Sequence, residues 1–164
     1  MRRALLAVLI AIMSLPVLAA DITAKEVLAA MNEYRAKNGL APLRDDPRLD
    51  LAASDRMQDM EDLGYWSHES PDGRSPFLWL KPRGYTFHFA GENLAAGFET
   101  CEVLVSSWME SEGHRANILS QDYDDCGIAI IDGSTKGRAV GKSVVVMFGR
   151  ELLVPKLVVE HAKK

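Results

Sequence analysis

The sequence lacks several features that would assign it to a class at once. It has no excess of basic residues: 19 lysines and arginines stand against 23 aspartates and glutamates, for a net charge of −4. A surface built to neutralise phosphates needs the opposite balance, so no nucleic-acid partner is expected. No internal repeat, low-complexity tract or long linker is present, and 164 residues fit one folded domain. There is no His-Glu-x-x-His, which removes the zincin arrangement. There is no Gly-x-Ser-x-Gly either, so Ser67, Ser70 and Ser75, although close to His68, have no nucleophile elbow to activate them. Cysteine is scarce, with two residues and no Cys-x-x-Cys pair, so a zinc site on cysteines alone is not expected.

Long apolar runs are also missing, with one exception at the start. "MRRALLAVLIAIMSLPVLAA" opens with Arg2 and Arg3, continues as an apolar run from Ala4 to Met13, and ends in small residues after Pro16. This is the pattern of a secretory signal peptide over residues 1–20, cut after Ala19 or Ala20. The run is too short, and too soon broken by Pro16, to span a bilayer, which takes about 20 apolar residues. Residues 21–164 are then expected to form a single exported, mildly acidic domain, secreted or periplasmic, with no transmembrane anchor after cleavage. In an oxidising compartment an even pair of cysteines suggests a Cys101–Cys126 disulfide, which would contribute about 3 kcal/mol by loop closure. Two buried free thiols are the alternative.

Local signals place the helices. Thr23 and Glu26 form a capping box ahead of an apolar stripe at Val27, Leu28, Met31 and Tyr34, and Gly39 ends that helix. Asp46 caps a second helix with Pro47 in its first turn, Leu49, Ala52, Ala53, Met57, Met60 and Leu63 as its buried face, and Gly64 as its stop. A short helix from Ser75 through Leu80 ends at Pro82 and Gly84. Thr100 caps another, with Val103, Leu104, Ser107 and Trp108 on one side. "GLAPLRDDP" is a loop. Strand-like stretches fall at 85–90, 126–132 and 142–150, the last two joined as a hairpin. Helices come first and strands last, without strict βαβ alternation. The pattern predicts an α+β layered domain with an antiparallel sheet.

Four histidines are present. His88 falls on a strand and His161 in the tail, and neither invites a functional role. His68, in "WSHESPDG", follows the second helix, where a histidine also serves as a partner for the helix dipole. His114, in "EGHRANILS", is placed just past the helix capped by Thr100. Glu92, in "AGENLAAG", is placed at a strand end. Taken together, "SHESPDG", "GENLA" and "WMESEGHRANIL" closely resemble the bacterial branch of the CAP superfamily, which holds cysteine-rich secretory proteins, antigen five and plant pathogenesis-related proteins. "MNEYRAKNGLAPLRDDPRLDLAASDRM" is similar to the opening helices of that superfamily, and "CGIAII…VVVMFGR" to its closing strands. The resemblance covers about residues 25–150.

The resemblance implies a three-layer α-β-α sandwich with a central antiparallel sheet, and a cleft carrying His68, Glu92 and His114. The second glutamate of animal and plant members falls on Ser111, with Glu110 and Glu112 on either side. Two imidazoles and a carboxylate suit Zn²⁺ with an open fourth position, and Ser70, Asp72, Asn93 and Asn117 are candidate acceptors for the ring N–H groups. A buried hydrogen-bond network without metal is the alternative. Tyr65, Trp66, Phe77 and Phe87 are candidates to line an apolar groove, while Trp79 and Trp108 suit the core or the cleft rim. Three functions remain open. One is an extracellular binding module for a lipid, polysaccharide or protein, which the resemblance favours. Another is a metal-dependent hydrolase of peptide or envelope material. The third is a structural extracellular domain.

Overall fold

The structure, a computed structural model, describes residues 21–132 and 141–153. The expected signal peptide, most of the loop after residue 132, and the tail with His161 lie outside the described residues. Helix α1 spans Ala24–Lys37 and starts at the capping box, where Thr23 and Glu26 satisfy each other's backbone N–H groups. Val27 and Met31 are buried. Arg35 is also buried, its guanidinium donating to the carbonyls of Ala41, Ile118, Ser120 and Tyr123. Helix α2 spans Pro47–Leu63, begins at Asp46 and ends on left-handed Gly64, φ 69°. Its buried face is as expected except that Leu63 is 54% exposed and Arg56 is buried.

The expected short helix is a 3₁₀ turn, Pro76–Trp79, and a second 3₁₀ turn, Lys81–Arg83, follows it. Pro82 has no N–H to give, which stops the ladder after one turn. Helix α3 spans Cys101–Glu110 under the Thr100 cap and buries Leu104, Val105 and Trp108. Val103, expected inside, is 57% exposed. The chain returns to helical structure at once after α3. Ser111, at φ −84° and ψ 124°, breaks it for one residue, and helix α4 follows over Glu112–Ile118.

The sheet has four strands in the order β1-β3-β4-β2: β1 Arg44–Asp45, β2 Phe87–Phe98, β3 Asp125–Asp132 and β4 Lys142–Glu151. β4 pairs antiparallel with both β2 and β3, but β1 pairs parallel with β3, so the sheet is mixed rather than wholly antiparallel. β1 lies inside the expected loop. It pairs because the chain must cross from α1 to the Asp46 cap, and on the way Arg44 N–H and Asp46 N–H bond to Asp124 and Cys126 carbonyls, both at 2.9 Å.

Strand alternation divides the core in two. Val144, Val146 and Phe148 of β4 pack with Val27 and Met31 of α1, Leu104 and Trp108 of α3 and Ile118 of α4. Val145 and Met147 pack with Leu49, Ala53, Met57 and Met60 of α2. The result is an α-β-α sandwich. Helix α2 lies so close to β3 that a Cβ on Gly127 would collide with the backbone of Leu49 and Asp50. The Asp50 carboxylate accepts from Ile128 N–H at 2.7 Å across the same contact.

The expected disulfide does not form, and Cys101 and Cys126 are free thiols. Packing accounts for both positions without a bridge. Cys126 is fully buried in β3, in register with Asp45 on one side and Phe148 on the other. Cys101 opens α3 beside Glu26 and Glu33 of α1. Each acts as a small apolar side chain of the same core.

Candidate functional site

Strand β2 lies at the edge of the sheet and builds the site by alternation. Glu92 stands in its interior, opposite Met147, rather than at the strand end expected. Leu94 belongs to the α2-side core and Ala95 to the core beneath α3 and α4. Glu92 shares the parity of Leu94, and Asn93 that of Ala95. One edge strand thus sends Glu92 towards His68 and Asn93 towards the helix that carries His114.

The His68 ring meets the buried Glu92 carboxylate, Nδ1 to Oε1, at 2.8 Å. The imidazole itself is 58% exposed. In the neutral ring, an Nδ1–H donated to the carboxylate leaves the lone pair on Nε2. His114 lies inside α4, not past a helix end, and is half-buried. Its ring centroid is 6.3 Å from that of His68, tilted 51°, and 6.2 Å from that of Trp108. Burial, and then the neighbouring His68, hold the His114 imidazole below its ordinary pKa. The structure therefore brings His68, Glu92 and His114 together at one place.

Asn93 donates to the His114 carbonyl at 3.2 Å and accepts from Asn117 at 2.9 Å. Three side chains also bond to alternate carbonyls of β2. Tyr123 Oη donates to Ala90 at 3.2 Å, Asn117 Nδ2 to Glu92 at 3.0 Å and Trp108 Nε1 to Leu94 at 3.1 Å. Gly91 makes this approach possible, since a Cβ there would lie 2.5 Å from Tyr123 Oη and 3.0 Å from Asn117 Oδ1.

Of the acceptors considered from sequence, Asp72 pairs with Arg74, and Ser70 bonds to Tyr65 and the Arg74 carbonyl. The acceptor that orients His68 is Glu92 itself. Ser111 lines a cleft of ≈ 380 Å³ together with His114, Trp66, Leu94, Phe98 and Trp108. Glu110 and Glu112 are exposed and absent from that lining. Tyr65, Phe77 and Phe87 pack instead against the α2-side core, and His88 meets Phe89 edge to face at 4.4 Å.

The residue that sequence reasoning missed is Arg56. It is fully buried on α2 and donates Nε–H to Glu92 Oε2 at 2.9 Å. Its other nitrogens reach Tyr65 Oη and the carbonyls of Ser67 and His68. The rings of Tyr65 and Trp79 lie 5.3 and 5.2 Å from the guanidinium carbon. A signal was present: position 56 falls on the apolar stripe through Leu49, Ala53 and Met60, where a solvated arginine has no place.

Glu92 has both carboxylate oxygens committed, one to His68 and one to Arg56. Among the described residues no group of three or more His, Cys, Asp and Glu is placed to share one ion. The donor set is two imidazole nitrogens with an outer carboxylate behind one of them. Such a set suits a cation whose remaining positions come from a ligand or solvent. It does not suit a closed structural zinc site.

Comparison with known proteins agrees with this architecture. Residues 28–148 match the sequence model of the CAP, cysteine-rich secretory protein, family. The chain is 40% identical over 111 residues to the uncharacterized protein YkwD of Bacillus subtilis (strain 168), a match covering 68% of this chain and 43% of that one. The chain thus spans less than half the length of that curated relative. Its fold resembles an extracellular protein containing a SCP domain from Bacillus anthracis str. Ames, with TM-score 0.66 and 27% identity, over 77% of this chain and 40% of that one. An outer surface protein from Borrelia burgdorferi shares the fold at TM-score 0.66 and 23% identity, over 82% of this chain and 99% of that one. With the sequence match running from within α1 to within β4, the chain belongs to the CAP family of cysteine-rich secretory proteins.

Proposed function

We propose that this CAP domain works outside the cytoplasm as a binding module, and that His114, on the wall of its cleft, and the neighbouring His68 form its recognition end. Export is supported by the arginine, apolar and small-residue pattern of residues 1–20. It is also supported by the description of the Bacillus anthracis structure as an extracellular protein. The observation that carries the binding reading is the state of Glu92. Both its oxygens are held, by His68 and by buried Arg56, so the carboxylate orients an imidazole, and it is absent from the lining of the cleft. The depressed pKa of His114 keeps the second imidazole neutral at neutral pH, as coordination of a metal requires. Walls of Trp66, Leu94, Phe98 and Trp108 suit a ligand with an apolar body and a polar or metal-bound head.

Calorimetric titration with Zn²⁺ tests the imidazole pair. The mature protein should bind with bonds of about 2.0–2.1 Å to each nitrogen, and His68→Ala and His114→Ala should each weaken binding at least about tenfold. Equal affinity in all three proteins would refute the pair as a binding site.

A further inference from the structure

We propose that Arg56 is the positioning residue of the His68–His114 pair: one buried guanidinium sets which nitrogen of His68 carries the proton and where that ring stands. Two independent contacts lead there. Through Nε–H, Arg56 claims Glu92 Oε2, which leaves Oε1 as the oxygen facing His68. Through a terminal nitrogen it holds the carbonyls of Ser67 and His68, the latter at 3.1 Å, and so fixes the backbone from which the ring projects. The same fork therefore holds His68 by its main chain and by its side-chain partner.

The guanidinium is itself immobile. It has no solvent exposure, it lies near the rings of Tyr65 and Trp79, and Tyr65 Oη accepts from it. Tyr65 in turn donates to Asp59, whose other oxygen accepts from Arg74 at 3.0 Å. The half-exposed imidazole thus stands at the end of a chain of buried and part-buried, directional bonds that begins on helix α2. A lysine could supply the charge of Arg56 but not its several directed donors.

The consequence is specific. A carboxylate is symmetric, but an amide is not. In Glu92→Gln, Arg56 Nε–H still demands an oxygen, so the amide oxygen stays with Arg56 and the amide NH₂ is turned towards His68 Nδ1. Nδ1 must then accept, and the ring proton moves to Nε2, the nitrogen that otherwise carries the lone pair. Were Arg56 merely a space-filling cation, the new amide would turn its oxygen to His68 and the tautomer would stay as it is.

The experiment reads the imidazole ¹⁵N shifts of His68 at a pH where the ring is neutral. The wild type should show the Nδ1–H tautomer, and Glu92→Gln the Nε2–H tautomer. Adding Arg56→Met to Glu92→Gln frees the amide to turn, and Nδ1–H should return. A Glu92→Gln protein that keeps Nδ1–H overturns the proposal. If that variant does not fold, Arg56→Lys is read instead: a mixture of tautomers supports the assignment, and wild-type shifts overturn it. Zn²⁺ affinity, which rests on the imidazole pair being a binding site, should fall about 10–100-fold in Glu92→Gln. If the wild type takes up no Zn²⁺, the metal reading fails, while the nitrogen shifts still decide the role of Arg56.

Discussion

Replacing Gly91 by alanine tests how tightly the site is built. Gly91 has no positive φ, so an alanine meets no backbone strain there. In an open position the change would stabilise by about 0.4–1 kcal/mol through the unfolded chain. Here the added Cβ would lie 2.5 Å from Tyr123 Oη, 2.8 Å from Tyr123 Cζ and 3.0 Å from Asn117 Oδ1. Tyr123 cannot simply swing aside, because its ring stacks on Phe148 at 5.5 Å and its hydroxyl is bonded to Ala90. Overpacking of this kind costs about 1–3 kcal/mol, and the displaced hydrogen bond about another 0.5–1.5 kcal/mol. The net expectation, after the unfolded-chain gain is set against these costs, is a loss of about 0.5–4 kcal/mol. Urea unfolding should show a lower midpoint with an unchanged slope. Adding Tyr123→Phe removes the closest contact and should restore part of the loss, though the ring carbon still crowds the new methyl. A Gly91→Ala protein as stable as the wild type would show that the strand edge is looser than these distances state.

Two further outcomes follow from ionisation and packing. His114 has its folded-state pKa below the ordinary 6.5, so the unfolded chain binds the proton first as pH falls. Stability present at neutral pH should decline as pH drops through about 6.5 and level off below the folded-state value. His114→Gln should remove that part of the slope in urea melts taken across this range, and an unchanged slope would contradict the assignment. Thiol titration without reductant should find Cys101 reacting slowly in the native protein and Cys126 only in denaturant. Burial raises both thiols, Cys126 far more strongly. Finding no thiol even in denaturant would restore the disulfide.

What could be read from sequence was what is decided locally. The Thr23–Glu26 box, the Asp46–Pro47 start and the Gly64 stop each depend on a few neighbouring residues, and each stands where expected. The misplacements depend on partners far along the chain. Two residues carry no period, so Arg44 and Asp45 disclose nothing of their pairing with β3. Val103 and Val105 are equally apolar, and only the position of α3 over the sheet turns Val105 inward. Gly113 looks like a helix stop, yet the break comes two residues earlier, at Ser111, so His114 rides on a helix. The three site residues were legible through their motifs. Arg56 was overlooked, because a charged side chain on a helix is ordinarily assigned to solvent, although its place on the apolar stripe of α2 marked it. Only the fold shows the glutamate, the hydroxyl and the two carbonyls that receive it.

The bonds from Tyr123, Asn117 and Trp108 to the carbonyls of Ala90, Glu92 and Leu94 have a consequence beyond the cleft. β2 is an outermost strand of twelve residues, long enough to recruit a strand from another molecule. Along its middle, every second acceptor is already occupied by a phenol, an amide or an indole from the neighbouring helical layer and the turn behind it. A foreign strand would have to displace all three before it could zip on. The side chains that hold the histidine helix in place therefore also guard against aggregation, and variants that loosen them should self-associate before they unfold.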